Sequence, residues 1–239
     1  GKIDATDTSE EVLILDGSSA TKSLTVTGGA GTDTIITGTV NDVIDGGAGA
    51  DTITSTGGND NIKGGAGDDK IIFGAGLTKD DVVDGGAGTD TLSVTTLVAA
   101  NLVGVTNVET LAFTGNTTLD KDLSFDTIDL TDGSNVDTVT FSTGYAKATT
   151  VKIDAGDDVI NSAKIALTVT AAAGDLESAD NSVITGSSTT TNDSMTITAE
   201  SSKTVCTGSR IYNVDSITVA DVGDDSTGSK VSDLNSLLI

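Results

Sequence analysis

Residues 28–72 read GGAGTDTII, TGTVNDVID, GGAGADTIT, STGGNDNIK and GGAGDDKII, a run of nine-residue units with no slip in register. A stretched unit, FGAGLTKDDVVD, follows at residues 73–84, and GGAGTDTLS closes the series at residues 85–93. Each unit joins a glycine-rich half, which predicts a tight turn, to a half of the form Asp-x-Ile-x, which alternates like a strand. A fixed period that is too short for a helical repeat predicts a parallel β-roll with two units per coil.

Two units per coil place the turns of alternate units in one row along the roll. The first row is predicted to contain the turns that begin at Gly28, Gly46, Gly64 and Gly85 and end at Asp33, Asp51, Asp69 and Asp90. The second row is predicted to carry Asp42, Asp60 and, when the stretched unit is aligned from its right-hand end, Asp81. At the strand spacing of about 4.8 Å, like charges repel by roughly 1 kcal/mol in water and roughly 3–4 kcal/mol at an effective dielectric near 20. These carboxylate ladders therefore oppose folding unless cations lie between their rungs.

The chemistry of the turns favours Ca²⁺ as that cation. Ca²⁺ takes six to eight oxygen ligands from carboxylates and backbone carbonyls, whereas Mg²⁺ demands a tighter octahedron and keeps its water. Zn²⁺ prefers His and Cys, and the chain has 0 His and 1 Cys. We predict several Ca²⁺ ions, held by the aspartates of both rows and by first-row backbone carbonyls at Gly28, Ala30, Gly46, Ala48, Gly64, Ala66, Gly85 and Ala87. A solvated array of Gly/Asp turns without ions is the alternative.

The units resemble the RTX (repeats-in-toxin) nonapeptide GGxGxDxUx, in which U is a large apolar residue. The first-row units match it at every fixed position, whereas the second row has Val40 in place of a glycine and no leading glycine pair in residues 55–63. The resemblance covers residues 28–93 and implies Ca²⁺ binding, folding that depends on the ion, and export by bacterial type I secretion. Residues 85–115, where the repeats run into further strand-like segments, also resemble bacterial S-layer proteins and adhesins of the RTX kind.

Composition excludes several classes of function. The net charge is −24, from 36 acidic and 12 basic residues with a single arginine, Arg210, so neither nucleic acid nor an anionic membrane is an expected partner. The longest apolar candidate, residues 165–173, is too short to span a membrane. Only 3% of the residues are aromatic, and 29 Gly with 0 Pro and abundant Thr favour a strand-rich solenoid whose core consists of aliphatic ladders.

We predict three regions along the chain. Residues 1–27 form an N-terminal β-coil, residues 28–93 form the calcium-binding β-roll, and residues 94–239 form an irregular parallel β-helix with a C-terminal tail. Strand-like segments in the third region lie at residues 110–114, 127–131, 138–141, 150–154, 166–170, 182–185, 195–199 and 216–220. The predicted fold class is therefore all-β, a parallel β-roll that continues into an irregular parallel β-helix or solenoid, and a separate β-sandwich is the alternative for the third region.

Three acidic loops interrupt the third region. The loop DAGDD at residues 154–158 looks like a shortened repeat turn, so Asp154, Asp157 and Asp158 are predicted to hold a further ion. The acidic loops at residues 129–137 and 221–225 are interpreted as solvated loops.

These features predict an extracellular structural protein at the bacterial cell surface that assembles with copies of itself into a filament or lattice. A solenoid ends in open strand edges, and head-to-tail contacts would pair them. The start GKIDATDTSEEV does not resemble a signal peptide, and the tail VSDLNSLLI is compatible with an uncleaved type I export signal. Cell-surface polysaccharide is a further candidate partner.

Two other functions stay open. A calcium-triggered folding or binding module of a larger secreted adhesin or exoprotein would remain monomeric with Ca²⁺. A polysaccharide-active β-helix enzyme would need a general base, and the chain offers only Lys203 and Arg210 as a basic pair, so we predict no catalytic residue. An ice-binding face would require a Thr/Asn pattern in every unit, and only residues 37–45 carry it.

Overall fold

The computed structural model describes residues 2–4, 11–74, 76–119, 125–131, 137–142, 145, 149–153, 159–161, 167–172, 183–185, 194–199, 204–205, 210–212, 216–221 and 230–231. The chain forms two compact units, Gly1–Phe113 and Thr114–Ile239. Among the described residues no helix has the length and apolar character that crossing a membrane requires.

The first unit is built from two parallel sheets whose strands alternate along the chain. One sheet contains, in spatial order, β1 (Lys2–Asp4), β3 (Thr25–Gly29), β5 (Val43–Ala48), β7 (Asn61–Ala66), β9 (Val82–Ala87) and β11 (Val105–Thr106). The other contains β2 (Ile14–Asp16), β4 (Thr34–Ile36), β6 (Thr52–Thr54), β8 (Lys70–Gly74), β10 (Thr91–Val94) and β12 (Thr110–Phe113). A 3₁₀ turn, Ala99–Gly104, lies between β10 and β11. Each coil therefore contributes one strand to each sheet.

The register of these sheets reproduces the sequence repeat. Thr34 of β4 pairs with Thr52 of β6, two units further along the chain. Across the stretched unit Asn61 of β7 pairs with Val82 of β9, so that the displacement grows from 18 to 21 residues. The prediction of two units per coil is confirmed, and the three extra residues are absorbed by a turn and leave the strands in register.

The core of the first unit consists mainly of stacked aliphatic side chains, with Phe73 and Phe113 also buried. In β-strands alternate side chains point to one face, and here that face is buried. The ladder of the odd-numbered strands contains Val26, Ile44, Ile62 and Val83, and that of the even-numbered strands contains Ile35, Ile53, Ile71, Leu92 and Leu111, all at most 1% exposed. Full burial of such a side chain stabilises the folded state by about 1.5–3 kcal/mol relative to leaving it exposed.

The second unit also consists of parallel strands. One set contains β14 (Thr127–Asp129), β16 (Thr149–Ile153), β18 (Leu167–Ala172), β20 (Ser194–Ala199) and β23 (Ser216–Asp221). A second set contains β13 (Asn116–Leu119), β15 (Thr138–Phe141), β17 (Val159–Asn161), β19 (Val183–Thr185) and β22 (Arg210–Tyr212). A two-stranded pair is formed by β21 (Thr204–Val205) and β24 (Lys230–Val231). Parallel pairing in every described sheet confirms the predicted solenoid and excludes the β-sandwich.

The core of the second unit also contains aromatic side chains. Phe141 and Tyr145 are buried, and their rings meet edge to face with centroids 4.9 Å apart. The Tyr145 hydroxyl lies 3.1 Å from Thr149 Oγ1, which donates a hydrogen bond to the Phe125 carbonyl at 3.0 Å. Each strand-like segment predicted in this region corresponds to a strand, whereas β13, β17, β22 and β24 were not predicted from the sequence. The three predicted sequence regions stay a prediction.

Candidate metal centre

Glycines shape the first-row turns because the backbone there adopts conformations that other residues avoid. Gly47 and Gly49 have φ angles of 108° and 118°, and the equivalent glycines of the next coil, Gly65 and Gly67, have φ angles of 123° and 128°. A side chain at positive φ clashes with its own backbone, so glycine is the residue that fits. Identical turns stack directly above one another because successive coils keep the same strand register.

The first-row aspartates form a ladder in which one carboxylate oxygen joins neighbouring coils. The Oδ1 atoms of Asp51, Asp69 and Asp90 accept the backbone N–H groups of Asp33, Asp51 and Asp69, each at 2.8 Å. All members of this ladder are at most 2% exposed. The structure therefore brings together the aspartates that the repeat register predicted to be stacked.

The other carboxylate oxygen of the ladder faces a space left by a missing side chain. A Cβ atom built on Gly64 would meet Asp69 Oδ2 on one side and the Gly85 carbonyl oxygen, at 2.5 Å, on the other. Gly46 has the same relation to Asp51 Oδ2 and to the Gly64 carbonyl. We call each such space, bounded by a carboxylate oxygen and the carbonyl of the next coil, a glycine cradle.

Most of the cradle carboxylate oxygens lack a hydrogen-bond donor. Among the described residues Oδ2 of Asp51, Asp69 and Asp90 has no partner, whereas Asp33 Oδ2 accepts the Gly29 N–H at 3.1 Å. A buried carboxylate oxygen without a partner costs free energy, because the protein replaces none of the hydrogen bonds that water gave it. A cation in the cradle would offset this cost.

Burial and the proximity of like charges disfavour ionisation of the first-row carboxylates. The pKa of Asp51 and of Asp69 is raised from the ordinary value of 3.8 to about 6, chiefly by burial and to a smaller extent by the charges of neighbouring aspartates, while a backbone hydrogen bond lowers it. The pKa of Asp90 is also raised, chiefly by burial and then by the negative charge of Glu109. Raised pKa values of this kind are expected where buried carboxylates have no positive charge nearby.

The donor set of the cradles fits Ca²⁺. Oxygen atoms from carboxylates and backbone carbonyls are the ligands that this hard cation takes in proteins. Within the described part of the chain, no group of three or more Asp, Glu, His or Cys side chains converges, so carbonyl groups would supply much of the coordination. Of the predicted carbonyl ligands, those of Ala66 and Ala87 already accept the N–H groups of Gly49 and Gly67 at 2.8 Å and keep one lone pair each.

The second row is stacked in the same way but satisfies its carboxylates differently. Asp60 Oδ1 accepts the Asp42 N–H at 2.7 Å, and Asp81 Oδ1 accepts the Asp60 N–H at 2.6 Å, which confirms the predicted alignment of the stretched unit. The Ser55 hydroxyl donates to Asp60 Oδ2, and Thr78 donates its N–H, at 2.7 Å, and its hydroxyl, at 3.0 Å, to Asp81 Oδ2. Hydroxyl groups thus take the place that the glycine cradles leave open in the first row.

Asp42 is the exception within the second row. Its Oδ2 has no hydrogen-bond partner among the described residues, and neither has the hydroxyl of Thr37, which is buried in the same turn. Thr37 stands where the first row has its leading glycine, so a side chain occupies the position of the cradle. Ligation of an ion by the second-row aspartates stays a prediction.

The remaining sequence predictions concern the second unit. Asp154, Asp157 and Asp158 lie outside the described residues, and so do residues 222–225 of the acidic loop at residues 221–225, whose first residue, Asp221, ends β23. The interpretation of residues 129–137 as a solvated loop is wrong at Asp137, which is 0% exposed and whose Oδ1 accepts the Gly115 N–H. The signal was present in the sequence DTVTF at residues 137–141, an aspartate directly before an alternating strand.

Glu109, which lies one coil after the last first-row aspartate, was not predicted from the sequence as part of the site. Its Oε2 accepts the Asp90 N–H at 2.8 Å, the bond that an aspartate Oδ1 accepts elsewhere in the ladder. The sequence ETLAF at residues 109–113 has the Asp-x-U-x pattern with glutamate in place of aspartate. A pattern that allows only aspartate at this position therefore does not include Glu109.

A parallel roll with stacked aspartates and glycine cradles at its turns belongs to the class of calcium-binding β-rolls. Within that class, a family model for the RTX calcium-binding nonapeptide repeat (4 copies) matches residues 27–60, 45–77 and 75–94. The RTX assignment is confirmed for this part of the chain, and RTX nonapeptide repeats bind Ca²⁺ and occur in proteins exported by type I secretion. Neither a search of curated proteins nor one of solved structures gives a significant match.

Proposed function

We propose that this protein is an extracellular structural protein of the bacterial surface, a Ca²⁺-stabilised solenoid that assembles with copies of itself. The observation that carries the proposal is the first-row ladder, whose buried carboxylate oxygens face glycine cradles without a donor. A protein that needed only a stable scaffold would gain more from apolar or hydroxyl side chains at these positions. A ladder that depends on Ca²⁺ is expected where this ion is abundant, as it is outside cells.

Ion binding at the cradles couples folding to Ca²⁺. A ligand that binds only the folded state stabilises it by about 2.7 kcal/mol per site at a concentration 100 times its dissociation constant. Several such sites in one row are comparable to the whole stability of a typical domain, about 5–15 kcal/mol. The chain would therefore fold after export, where Ca²⁺ neutralises part of a net charge of −24.

The first coil offers a surface for assembly. Within the described residues β2 is paired on one side only, to β4, and it carries Ile14, which is 78% exposed. Val12, directly before this strand, is 59% exposed. An open strand edge with apolar side chains favours pairing with another chain, and a head-to-tail contact of this kind repeats into a filament or lattice.

Far-UV circular dichroism and sedimentation velocity, each with millimolar Ca²⁺ and with excess chelator, test this proposal, and Mg²⁺ serves as the ionic control. We expect full β-structure and large assemblies with Ca²⁺, and in chelator a reduced β-content and loss of the assemblies. An Ile14→Lys variant should fold with Ca²⁺ but sediment as a smaller species. A Thr25→Lys change, at an exposed position of β3, which is paired on both sides, is the control. Full β-content in chelator would overturn the proposal.

A second candidate function is a calcium-triggered folding module of a larger adhesin or exoprotein. It is favoured by the restriction of the family match to residues 27–94, which leaves the second unit for another task. This function predicts the same dependence of folding on Ca²⁺ but a monomer at every concentration tested. Cell-surface polysaccharide stays a proposed partner, and binding of purified polysaccharide to the Ca²⁺-loaded chain would test it.

A further inference from the structure

The row of glycine cradles continues past the last nonapeptide repeat. A Cβ atom on Gly85 would lie 2.7 Å from Asp90 Oδ2 and would clash with the carbonyl oxygen of Asn107. This is the relation that Gly64 has to Asp69 and to the Gly85 carbonyl one coil earlier. Asn107, however, lies beyond the repeats, whose match ends at residue 94.

The backbone of Asn107 is held in a conformation that is uncommon for a residue with a side chain. Its φ angle is 50°, in the left-handed region that asparagine tolerates better than most residues. The side chain fixes this turn, because Asn107 Nδ2 donates a hydrogen bond to Asp84 Oδ1 at 2.7 Å. This turn thus places the Asn107 carbonyl oxygen where the repeats place the carbonyl oxygen of a glycine.

Glu109 supplies the carboxylate that the next repeat would have supplied. Its Oε2 accepts the Asp90 N–H at 2.8 Å, and the Asp90 carbonyl accepts the Thr110 N–H at 2.9 Å, so both sides of this rung are bonded as in the repeats. Asp90 itself is 0% exposed, and its Oδ2, which points into the Gly85 cradle, has no partner among the described residues. A fully buried acceptor aimed at a carbonyl oxygen needs a cation or a donor between the two.

We propose that Asn107 and Glu109 complete an additional calcium site at the end of the first row, together with the Gly85 turn and Asp90. Asp90 Oδ2 and the Asn107 carbonyl are its oxygen ligands, and Glu109 provides the negative charge and holds Asp90 in place. The inference rests on the proposed binding of Ca²⁺ along the first row. It means that the ladder holds one ion more than the repeats alone would provide.

Native mass spectrometry of the full chain with Ca²⁺ counts the ions that each variant retains. Glu109→Gln keeps an oxygen that can accept the Asp90 N–H but removes the charge, so we expect the same fold and one ion fewer than in the wild type. Glu11→Gln makes the same chemical change at an exposed position and should retain the wild-type number. An unchanged ion count in the Glu109→Gln variant overturns the inference.

A measurement on the wild type keeps the inference testable if the variant does not fold. Anomalous X-ray diffraction from crystals grown with Ca²⁺ should show a peak between Asp90 Oδ2 and the Asn107 carbonyl. Peaks at the Gly46 and Gly64 cradles without one at Gly85 would overturn this inference and leave the proposed function intact. Absence of peaks from the entire first row would overturn both.

Discussion

The Oδ1 atom of Asp69 accepts the backbone N–H of Asp51, one coil away, at 2.8 Å, while its Oδ2 has no hydrogen-bond partner among the described residues. One oxygen of the carboxylate thus joins two coils of the roll, and the other is left for a ligand in the Gly64 cradle. Because the two carboxylate oxygens have different roles, the effect of a substitution in the ladder depends on whether Ca²⁺ is present.

Replacement of Asp69 should change stability in opposite directions with and without Ca²⁺. Asp69→Asn retains an oxygen that can accept the Asp51 N–H and removes a buried charge, so the variant should be more stable than the wild type in chelator. With Ca²⁺ at 100 times its dissociation constant, loss of one site should cost about 2.7 kcal/mol. Thermal unfolding under both conditions measures this, and Asp80→Asn, the same change at an exposed position outside the first row, should show neither effect. Destabilisation of equal size in chelator and in Ca²⁺ would contradict the assignment.

The stability of the chelated protein should fall as the pH rises from about 4 to about 6. The pKa of Asp51 and of Asp69 is raised to about 6 in the folded chain from the ordinary value of 3.8, chiefly by burial, so between these values the folded state binds more protons than the unfolded state. Its stability is therefore greatest at low pH and is lost as the carboxylates ionise. With Ca²⁺ the trend should reverse, because the ion competes with protons for the same carboxylates. Urea denaturation across this pH range, with and without chelator, measures both slopes, and a stability that rises with pH in chelator would contradict the prediction.

Filling a glycine cradle should abolish its ion and destabilise the roll. The Cβ of Gly64→Ala would lie 2.5 Å from the Gly85 carbonyl oxygen, and a backbone atom in a paired strand cannot move away cheaply. Overpacking of this kind costs about 1–3 kcal/mol, to which the loss of the ion adds in the presence of Ca²⁺. Calorimetric titration with Ca²⁺ should show a reduced number of bound ions. An unchanged number would mean that the ions are bound elsewhere.

Removal of the Ser55 hydroxyl should destabilise the roll by a similar amount with and without Ca²⁺. Ser55 donates to Asp60 Oδ2, so Ser55→Ala leaves a buried carboxylate oxygen unsatisfied, at a cost of about 1–3 kcal/mol. Ser19→Ala, the same change at an exposed serine, is the matched control and should be close to neutral. Chemical denaturation in chelator and in Ca²⁺ measures the difference. A loss of stability confined to Ca²⁺ would instead indicate an ion at the second row.

Much of the first unit could be predicted from its sequence because its period is local and strict. The nine-residue register specified which strands pair, which aliphatic residues are buried and which aspartates stack. Even the position of Asp81 followed from the alignment of the stretched unit, since the strand and not the turn had to remain in register. In the second unit the strands were visible as alternating segments, whereas their pairing across loops of unequal length was not.

The amino-acid sequence by itself determined the parallel roll, its aliphatic ladders and the stacking of its aspartates, because each is a consequence of a repeat that folds against its own neighbours. Only the tertiary structure decided which carboxylate oxygens remain without a donor. Ser55 and Thr78 satisfy Asp60 and Asp81 within their own turns, whereas Glu109 accepts the Asp90 N–H and the Asn107 carbonyl lies beside Gly85 across neighbouring coils. The physical reason is that strand register follows from a pattern of residue types, whereas the completion of a binding site depends on where individual oxygen atoms meet across neighbouring coils.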